Sequence, residues 1–174
     1  GNPYFISLDE LVKEGVLTAE ECKKAKFGRK ADDIDYSRLY TERGRLLRLA
    51  YSRSDIGHNA AFTAFCEKNK WWLDDFALFM AVKGRFEGKP WIEWAEDIRL
   101  RWQNAMDYYR RELYFEVEYY KYLQFKFDQQ WRTLKAYANE KGIRIIGDIP
   151  IYVALDSADA WANPQMFQLD EDNI

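Results

Sequence analysis

The sequence has few of the residues from which metal centres and nucleophilic sites are built. It contains 1 His and 2 Cys among 174 residues. The cysteines, Cys22 and Cys66, lack the CxxC spacing of a zinc or redox site. That count excludes a histidine-rich zinc site and leaves at most one Ser–His or Cys–His pair. The histidine, His58, lies next to Gly57 and Asn59, and we predict it to sit in a solvated loop. We expect no metal and no cofactor.

The sequence also lacks long runs of apolar residues and long runs of basic residues. No apolar stretch approaches the length of a membrane span, and the opening residues Gly1–Tyr4 lack the basic and apolar regions of a signal peptide. The formal net charge is -3, and no run of Lys and Arg supplies the basic face that nucleic acids need. Gly142 and Gly147 are isolated, so there is no phosphate-cradling glycine loop. We therefore expect a cytoplasmic protein that binds neither nucleic acid nor membrane and keeps its cysteines reduced.

Aromatic side chains, in contrast, are abundant. The chain contains 7 Trp, 12 Tyr and 11 Phe, which is 17% of its residues. Rings at that density fill a core or line a surface for flat ligands, and sugars are the common uncharged ligand of that shape. Core filling is the simpler explanation for any single ring, and the hydrophobic share of 48% suits a globular domain.

Most of the chain has helical periodicity. Ser7 is predicted to cap a helix over Leu8–Glu14, and Thr18 is predicted to cap a second one with acidic residues in its first turn. Further helices are predicted over Tyr36–Arg53, Ala60–Lys70, Asp74–Arg85 and Asn104–Asn139. The last of these stretches contains neither Gly nor Pro. It is either one long helix or two helices that meet near Leu113–Phe115.

The pattern changes at Gly142, which fits the position just after the end of a helix. The following run, Ile143–Ile149, is short and rich in β-branched residues, as in a parallel strand that is buried on both faces. Asp156 is then predicted to cap a new helix that begins at Ser157. Helix, glycine, buried strand, loop and helix together indicate the α/β class, as part of a barrel or of a doubly wound sheet.

Functional side chains of parallel sheets collect at the carboxyl ends of the strands. This makes Asp148 and Asp156 the candidate substrate-binding residues. Asp148 can orient a sugar hydroxyl or tune a catalytic carboxylate, or it can be a structural residue that accepts backbone hydrogen bonds. Asp156 can reach a ligand, although helix capping explains it without one. Glycoside chemistry needs two opposed carboxylates, one of them an acid, and a capping Asp is a poor acid, so we assign no catalytic residue.

Five segments of the sequence carry a family resemblance. They are Gly1-Asn-Pro-Tyr-Phe5, Lys89-Pro-Trp91, Gln124-Phe-Lys-Phe-Asp-Gln-Gln-Trp131, Leu134-Lys-Ala-Tyr-Ala138 and Gly147-Asp-Ile-Pro-Ile-Tyr-Val-Ala-Leu-Asp-Ser-Ala-Asp-Ala-Trp161. Together they resemble the 4-α-glucanotransferases, also called amylomaltases or disproportionating enzymes. The last segment is the most specific, and it departs from the family at Ala160, where Val is usual. The resemblance extends over nearly the whole chain.

The resemblance implies a (β/α)₈ barrel, or TIM barrel, with a largely helical insertion, acting on α-1,4-glucans such as maltooligosaccharides, starch and glycogen. The implied reaction is a retaining double displacement, in which a carboxylate nucleophile forms a glycosyl-enzyme and a second glucan takes the sugar. Asp148 matches an Asp near the substrate in the third-strand region of the family. The family's nucleophile, acid/base and stabilising Asp have no counterpart here, and a full barrel takes about 250 residues. We therefore expect a partial barrel, a fragment that is mostly α-helical and inactive alone.

Within such a barrel enzyme we predict three parts. Residues 1–35 are barrel-associated helices and loops, residues 36–113 are a helical insertion subdomain, and residues 114–174 hold a barrel helix, the third-strand region and the following loop. The alternative is a self-contained helical module that binds carbohydrate or another protein. The predicted strand at Ile143–Ile149 separates the two readings, because a parallel strand needs neighbours. In this fragment the strand would have no such neighbours. We therefore predict that Ile143–Ile174 is loosely held or pairs with the same segment of a second copy of the chain.

Overall fold

A computed structural model describes residues 1–28, 34–149 and 151–169. Every regular element within these residues is helical, which confirms the expectation of a mostly α-helical chain. The helices are Leu8–Lys13 (α1), Ala19–Lys24 (α2), Tyr36–Arg53 (α3), Ala60–Arg85 (α4), Glu96–Arg99 (α5), Gln103–Glu112 (α6), Tyr114–Glu140 (α7) and Ala158–Ala162 (α8). Short 3₁₀ turns lie at Pro3–Phe5, Ile56–His58, Trp91–Glu93 and Pro164–Met166. No helix in the described part of the chain combines the length and the apolar character that crossing a membrane requires.

The first helices begin where their capping residues predict. The Ser7 hydroxyl accepts a hydrogen bond from the backbone N–H of Glu10 at 3.3 Å. Thr18 and Glu21 form a reciprocal capping box, in which each side chain accepts from the backbone N–H of the other residue, at 3.3 Å and 2.9 Å. These contacts satisfy backbone donors that the first helical turn leaves free. Both predicted starts are confirmed, as are the predicted bounds of α3.

For the two longest helices, α4 and α7, one prediction is wrong and one alternative is confirmed. Residues 60–85 form one continuous helix, so the predicted break after Lys70 is wrong. No Gly or Pro precedes Gly84 in this segment, and Leu73 is fully buried, so packing holds the helix through the expected gap. In the stretch from Asn104 to Asn139, the two-helix alternative is confirmed, because α6 ends at Glu112 and α7 begins at Tyr114.

The contacts divide the chain into two compact units. Unit 1 consists of Gly1–Phe65 and Tyr122–Ile143, and unit 2 consists of Cys66–Lys121 and Arg144–Ile174. These boundaries differ from the parts predicted over residues 1–35, 36–113 and 114–174. Those parts concern roles within a larger barrel enzyme, and they stay a prediction.

Each unit has its own aromatic core. In unit 1 the ring of Phe125 lies 5.5 Å from the rings of both Phe62 and Phe65. In unit 2 the ring of Trp94 packs at 5.3 Å against Phe79 and at 5.7 Å against Trp161. Such tilted contacts between buried rings account for many of the abundant aromatic residues without any ligand.

The predicted strand at Ile143–Ile149 is wrong, since these residues form no regular element. Gly142 ends the preceding helix as expected, with a φ of +75° that favours glycine. Beyond it, Ile146 is 92% exposed and Ile149 is 80% exposed. A parallel strand is stabilised by main-chain hydrogen bonds to neighbouring strands, and the described residues contain no strand that could supply them. Pro150 and residues 170–174 lie outside the described residues.

Candidate substrate-binding site

Asp156 does not cap α8, so the predicted role of its side chain is wrong. Ser157 is the cap, and its hydroxyl accepts a hydrogen bond from the backbone N–H of Ala160 at 3.2 Å. Asp156 is one residue too early to reach those donors. Its Oδ2 forms an ion pair with Nζ of Lys83, in the last turn of α4, and its Oδ1 accepts from the backbone N–H of Trp91 at 3.4 Å. The carboxylate is therefore bound to the helical part of unit 2.

Trp91 fixes the backbone immediately before Asp156. Its side chain is 1% exposed, and its indole N–H donates to the carbonyl oxygen of Leu155 at 2.7 Å. The side chains of Lys83 and Asp156 are 24% and 36% exposed. The ion pair is thus sheltered on one side and open to solvent on the other. The chemistry available to it is hydrogen bonding to a polar ligand at the surface of unit 2.

Trp161 anchors the other end of the same segment. It is 1% exposed, and its indole N–H donates to the carbonyl oxygen of Ile98 at 3.1 Å. The predicted loose holding of Ile143–Ile174 is therefore wrong for α8, because buried aromatic and hydrogen-bonded contacts keep Trp161 in the core of unit 2.

Arg101 supports this anchor from an unusual backbone position. Its φ is +57°, in the region that favours glycine at the end of a helix. Its guanidinium lies 4.3 Å from the ring centre of Trp161 and forms an ion pair with Asp75 at 2.7 Å. Cation–π and ionic contacts of this kind offset the backbone strain. The residue type at this position is therefore explained by contacts rather than by local conformation.

Asp148, the second predicted substrate-binding residue, lies in the exposed segment that follows α7. Its Oδ1 accepts a hydrogen bond from the backbone N–H of Ile149 at 2.8 Å. This local contact is of the kind expected if Asp148 is a structural residue that accepts backbone hydrogen bonds. Whereas Asp156 is attached to α4 and Trp91, the bond of Asp148 is to its own neighbour, and its role toward a ligand stays a prediction.

The two cysteine thiols are not activated as nucleophiles. Burial raises the pKa of the Cys66 thiol to about 11, and burial also raises the pKa of Cys22 above its ordinary value. Neither thiol is a thiolate at neutral pH. His58 lies in the 3₁₀ turn Ile56–His58 and not in a loop, but its side chain is 87% exposed, as predicted, with its Nδ1 2.6 Å from Oδ1 of Asp55. In the described ranges, no three His, Cys, Asp or Glu residues lie close enough to hold a metal ion.

Unit 1 contains an open groove of about 940 Å³ between the N-terminal segment and α7. Its apolar lining includes the exposed side chains of Phe5, Leu134 and Tyr137. Gln130 holds the two walls together, because its side-chain amide exchanges hydrogen bonds with the backbone N–H and carbonyl of Ser7 at 2.6 Å and 3.2 Å. Wide and largely apolar, the groove is shaped for hydrophobic packing rather than for one small polar ligand.

Comparison with known proteins gives the family. The profile described as 4-alpha-glucanotransferase, of glycoside hydrolase family 77, matches residues 1–173. The chain belongs to the 4-α-glucanotransferase family. It is 42% identical over its whole length to a 4-alpha-glucanotransferase of Clostridium butyricum, covering 36% of that protein. It is 43% identical over 98% of its length to the enzyme of Streptococcus pneumoniae TIGR4, covering 34% of it.

A solved member of the family has the same fold over the matching region. The amylomaltase from Streptococcus agalactiae in complex with acarbose superimposes with a TM-score of 0.93 at 36% identity. The match covers 99% of this chain and 35% of the amylomaltase. The chain thus spans about a third of the length of the 4-α-glucanotransferases that it matches.

The structure brings distant segments that carry the family resemblance into contact with each other. In unit 2, Trp91 of the Lys89–Trp91 segment contacts Leu155 and Asp156 of the Gly147–Trp161 segment. In unit 1, the Gln124 side chain donates to the carbonyl oxygen of Gly1 at 3.0 Å. Sequence reasoning missed Lys83 altogether, because it is 73 positions from Asp156 and no local pattern relates the two.

Proposed function

We propose that this chain is part of a 4-α-glucanotransferase that transfers segments of α-1,4-glucans between maltooligosaccharide, starch or glycogen chains. The reaction is a retaining double displacement, in which a carboxylate forms a glycosyl-enzyme and a second glucan takes the sugar. The observation that carries the proposal is the family match over residues 1–173. The acarbose complex of a related amylomaltase adds support for a glucan-like ligand.

The complete fold in this proposal is a TIM barrel with a helical insertion. Two surfaces of the chain are compatible with it, because both are exposed and rich in apolar side chains. One is the apolar groove of unit 1 beside α7. The other is the segment 143–149, which is exposed although it is rich in Ile. The rest of a barrel would cover apolar surface that is exposed in this chain.

The same proposal predicts that this chain is inactive on its own. Its candidate site carboxylates are Asp148 and Asp156, which we assign to substrate binding and not to catalysis. The self-contained module proposed as an alternative is disfavoured, because the chain matches only 34–36% of the length of the first enzymes found. Cytoplasmic location is a further part of the proposal, and the two free cysteines support it.

An assay with maltotriose tests the proposal. The full-length protein should convert maltotriose into longer and shorter oligosaccharides, which chromatography separates by chain length. The 174-residue chain should give the same products as a blank without protein. A full-length protein that leaves maltotriose unchanged would contradict the proposed function, and product formation by the isolated chain would contradict the assignment of catalysis to other residues.

A further inference from the structure

Both oxygens of the Asp156 carboxylate contact residues that are distant in the sequence. The backbone N–H of Trp91 points to its Oδ1 at 3.4 Å, and the indole N–H of Trp91 binds the carbonyl oxygen of Leu155 at 2.7 Å. The buried indole of Trp91 therefore fixes the backbone before Asp156, and the backbone N–H of Trp91 contacts one oxygen of its carboxylate. The direction of the Asp156 side chain is set by Lys83 of α4 and by Trp91 rather than by its own loop.

Lys83 fixes the second oxygen. Its ammonium group forms an ion pair with Oδ2 of Asp156 and lies 5.8 Å from the ring centre of Phe79. Lys83 belongs to the last turn of the 26-residue helix α4, which is a rigid element. A site on a helix keeps its geometry better than a site on a loop. The ion pair thus connects Asp156, the candidate substrate-binding residue, to helix α4.

The arrangement leaves the carboxylate able to bind a ligand. Two carboxylate oxygens offer about four lone-pair positions, and the contacts with Lys83 and Trp91 occupy one on each oxygen. The Asp156 side chain is 36% exposed, so the remaining positions are open to a molecule in solution. Sugar hydroxyls are suitable donors, and hydrogen bonds to a charged acceptor are stronger than neutral ones.

We propose that Lys83 and Trp91 are positioning residues that hold Asp156 as the acceptor for a hydroxyl group of an α-1,4-glucan. This inference rests on the proposed function and deepens it. It assigns to Lys83 of α4 and to Trp91 an indirect role in glucan recognition. Lys83 and Trp91 act through Asp156, and Asp156 contacts the glucan.

The test is binding of acarbose, the ligand in the related amylomaltase structure, to the full-length protein, measured by isothermal titration calorimetry. Maltotriose is unsuitable as the ligand because the proposed activity would consume it during the titration. Lys83→Met should weaken binding about tenfold, because the carboxylate loses a charged partner that fixes its direction. Lys83→Arg keeps a cation and should stay within about threefold of the unmodified protein. Lys121→Met is the matched control, since Lys121 is a similarly sheltered lysine that pairs with Asp74 and Glu118. It should leave binding unchanged.

A double-mutant cycle separates positioning from general stability. Asp156→Asn should weaken binding, and Lys83→Met should have no further effect on binding once Asp156 is replaced, because coupled residues are not additive. Should Lys83→Met fail to fold, Trp91→Phe removes the indole N–H that holds Leu155 and leaves a smaller ring in the core, and it should weaken binding about threefold.

The outcomes distinguish the inference from the function on which it rests. If the unmodified protein neither converts maltotriose nor binds acarbose, the proposed function itself fails. If it binds, and a folded Lys83→Met variant binds equally well, only the positioning role is overturned. The same follows if Lys121→Met weakens binding as much as Lys83→Met, or if the effects of Lys83→Met and Asp156→Asn simply add.

Discussion

Trp161 permits a quantitative test of how firmly α8 is fixed in unit 2. Its side chain is 1% exposed and packs against the rings of Phe79 and Trp94 at 5.9 Å and 5.7 Å. Replacement of a buried Trp by Ala removes this packing and leaves a cavity, which costs about 3–5 kcal/mol of unfolding free energy. We expect Trp161→Ala to fall in that range.

Trp161→Phe divides this cost into two parts. Phe keeps a ring in the core but cannot donate to the carbonyl oxygen of Ile98, which the indole N–H binds at 3.1 Å. A lost hydrogen bond to a buried acceptor costs about 1–3 kcal/mol. A smaller ring also weakens the cation–π contact with Arg101, worth about 0.5–2 kcal/mol. We expect Trp161→Phe to cost about 2 kcal/mol, clearly less than Trp161→Ala.

Urea unfolding followed by far-ultraviolet circular dichroism measures these changes as shifts of the midpoint at constant slope. Amide hydrogen exchange at Ala160 and Trp161 reports the same change locally, which matters because the chain has two compact units. Trp71→Ala is the control, since Trp71 is 80% exposed and its replacement should change stability by less than about 0.5 kcal/mol. Equal effects of Trp161→Ala and Trp71→Ala would refute the reasoning.

Two further predictions concern unit 1 and the exposed segment. Hydrogen bonds from Arg53 and from the backbone N–H of Thr18 lower the pKa of Glu21 from 4.5 to about 2, so its stabilising contribution is present above pH 4.5 and is lost as the pH falls towards 2. An NMR titration should show the lowered pKa of Glu21, and Arg53→Gln should raise it. An ordinary Glu21 pKa in the unmodified chain would contradict the ion pair between Glu21 and Arg53. Because Ile143–Ile149 is exposed and has no neighbouring strand among the described residues, light scattering should detect association that grows with concentration and that Ile145→Lys reduces. A strictly monomeric chain with protected amides in this segment would show that pairing with a second copy does not occur.

The sequence by itself determined the features that depend on neighbours within about one helical turn. Ser7 and Thr18 mark helix starts because a side-chain oxygen at that position reaches the backbone donors of the next turn. Gly142 marks the end of α7 because glycine adopts a positive φ without steric cost. The family resemblance was also readable, since its motifs are local strings of residues.

Tertiary structure decided what depends on partners far away in the chain. Leu73 is fully buried in unit 2, and helix α4 continues through a stretch where local pattern predicted a break. Ile143–Ile149 has the composition of a strand, but a strand forms only where other strands supply hydrogen bonds. Asp156 looked like a helix cap because capping is a local rule, whereas its partner Lys83 is 73 positions away. Spacing along the sequence carries no information about such a contact, because only the packing of α4 against the segment before α8 brings the two charges together.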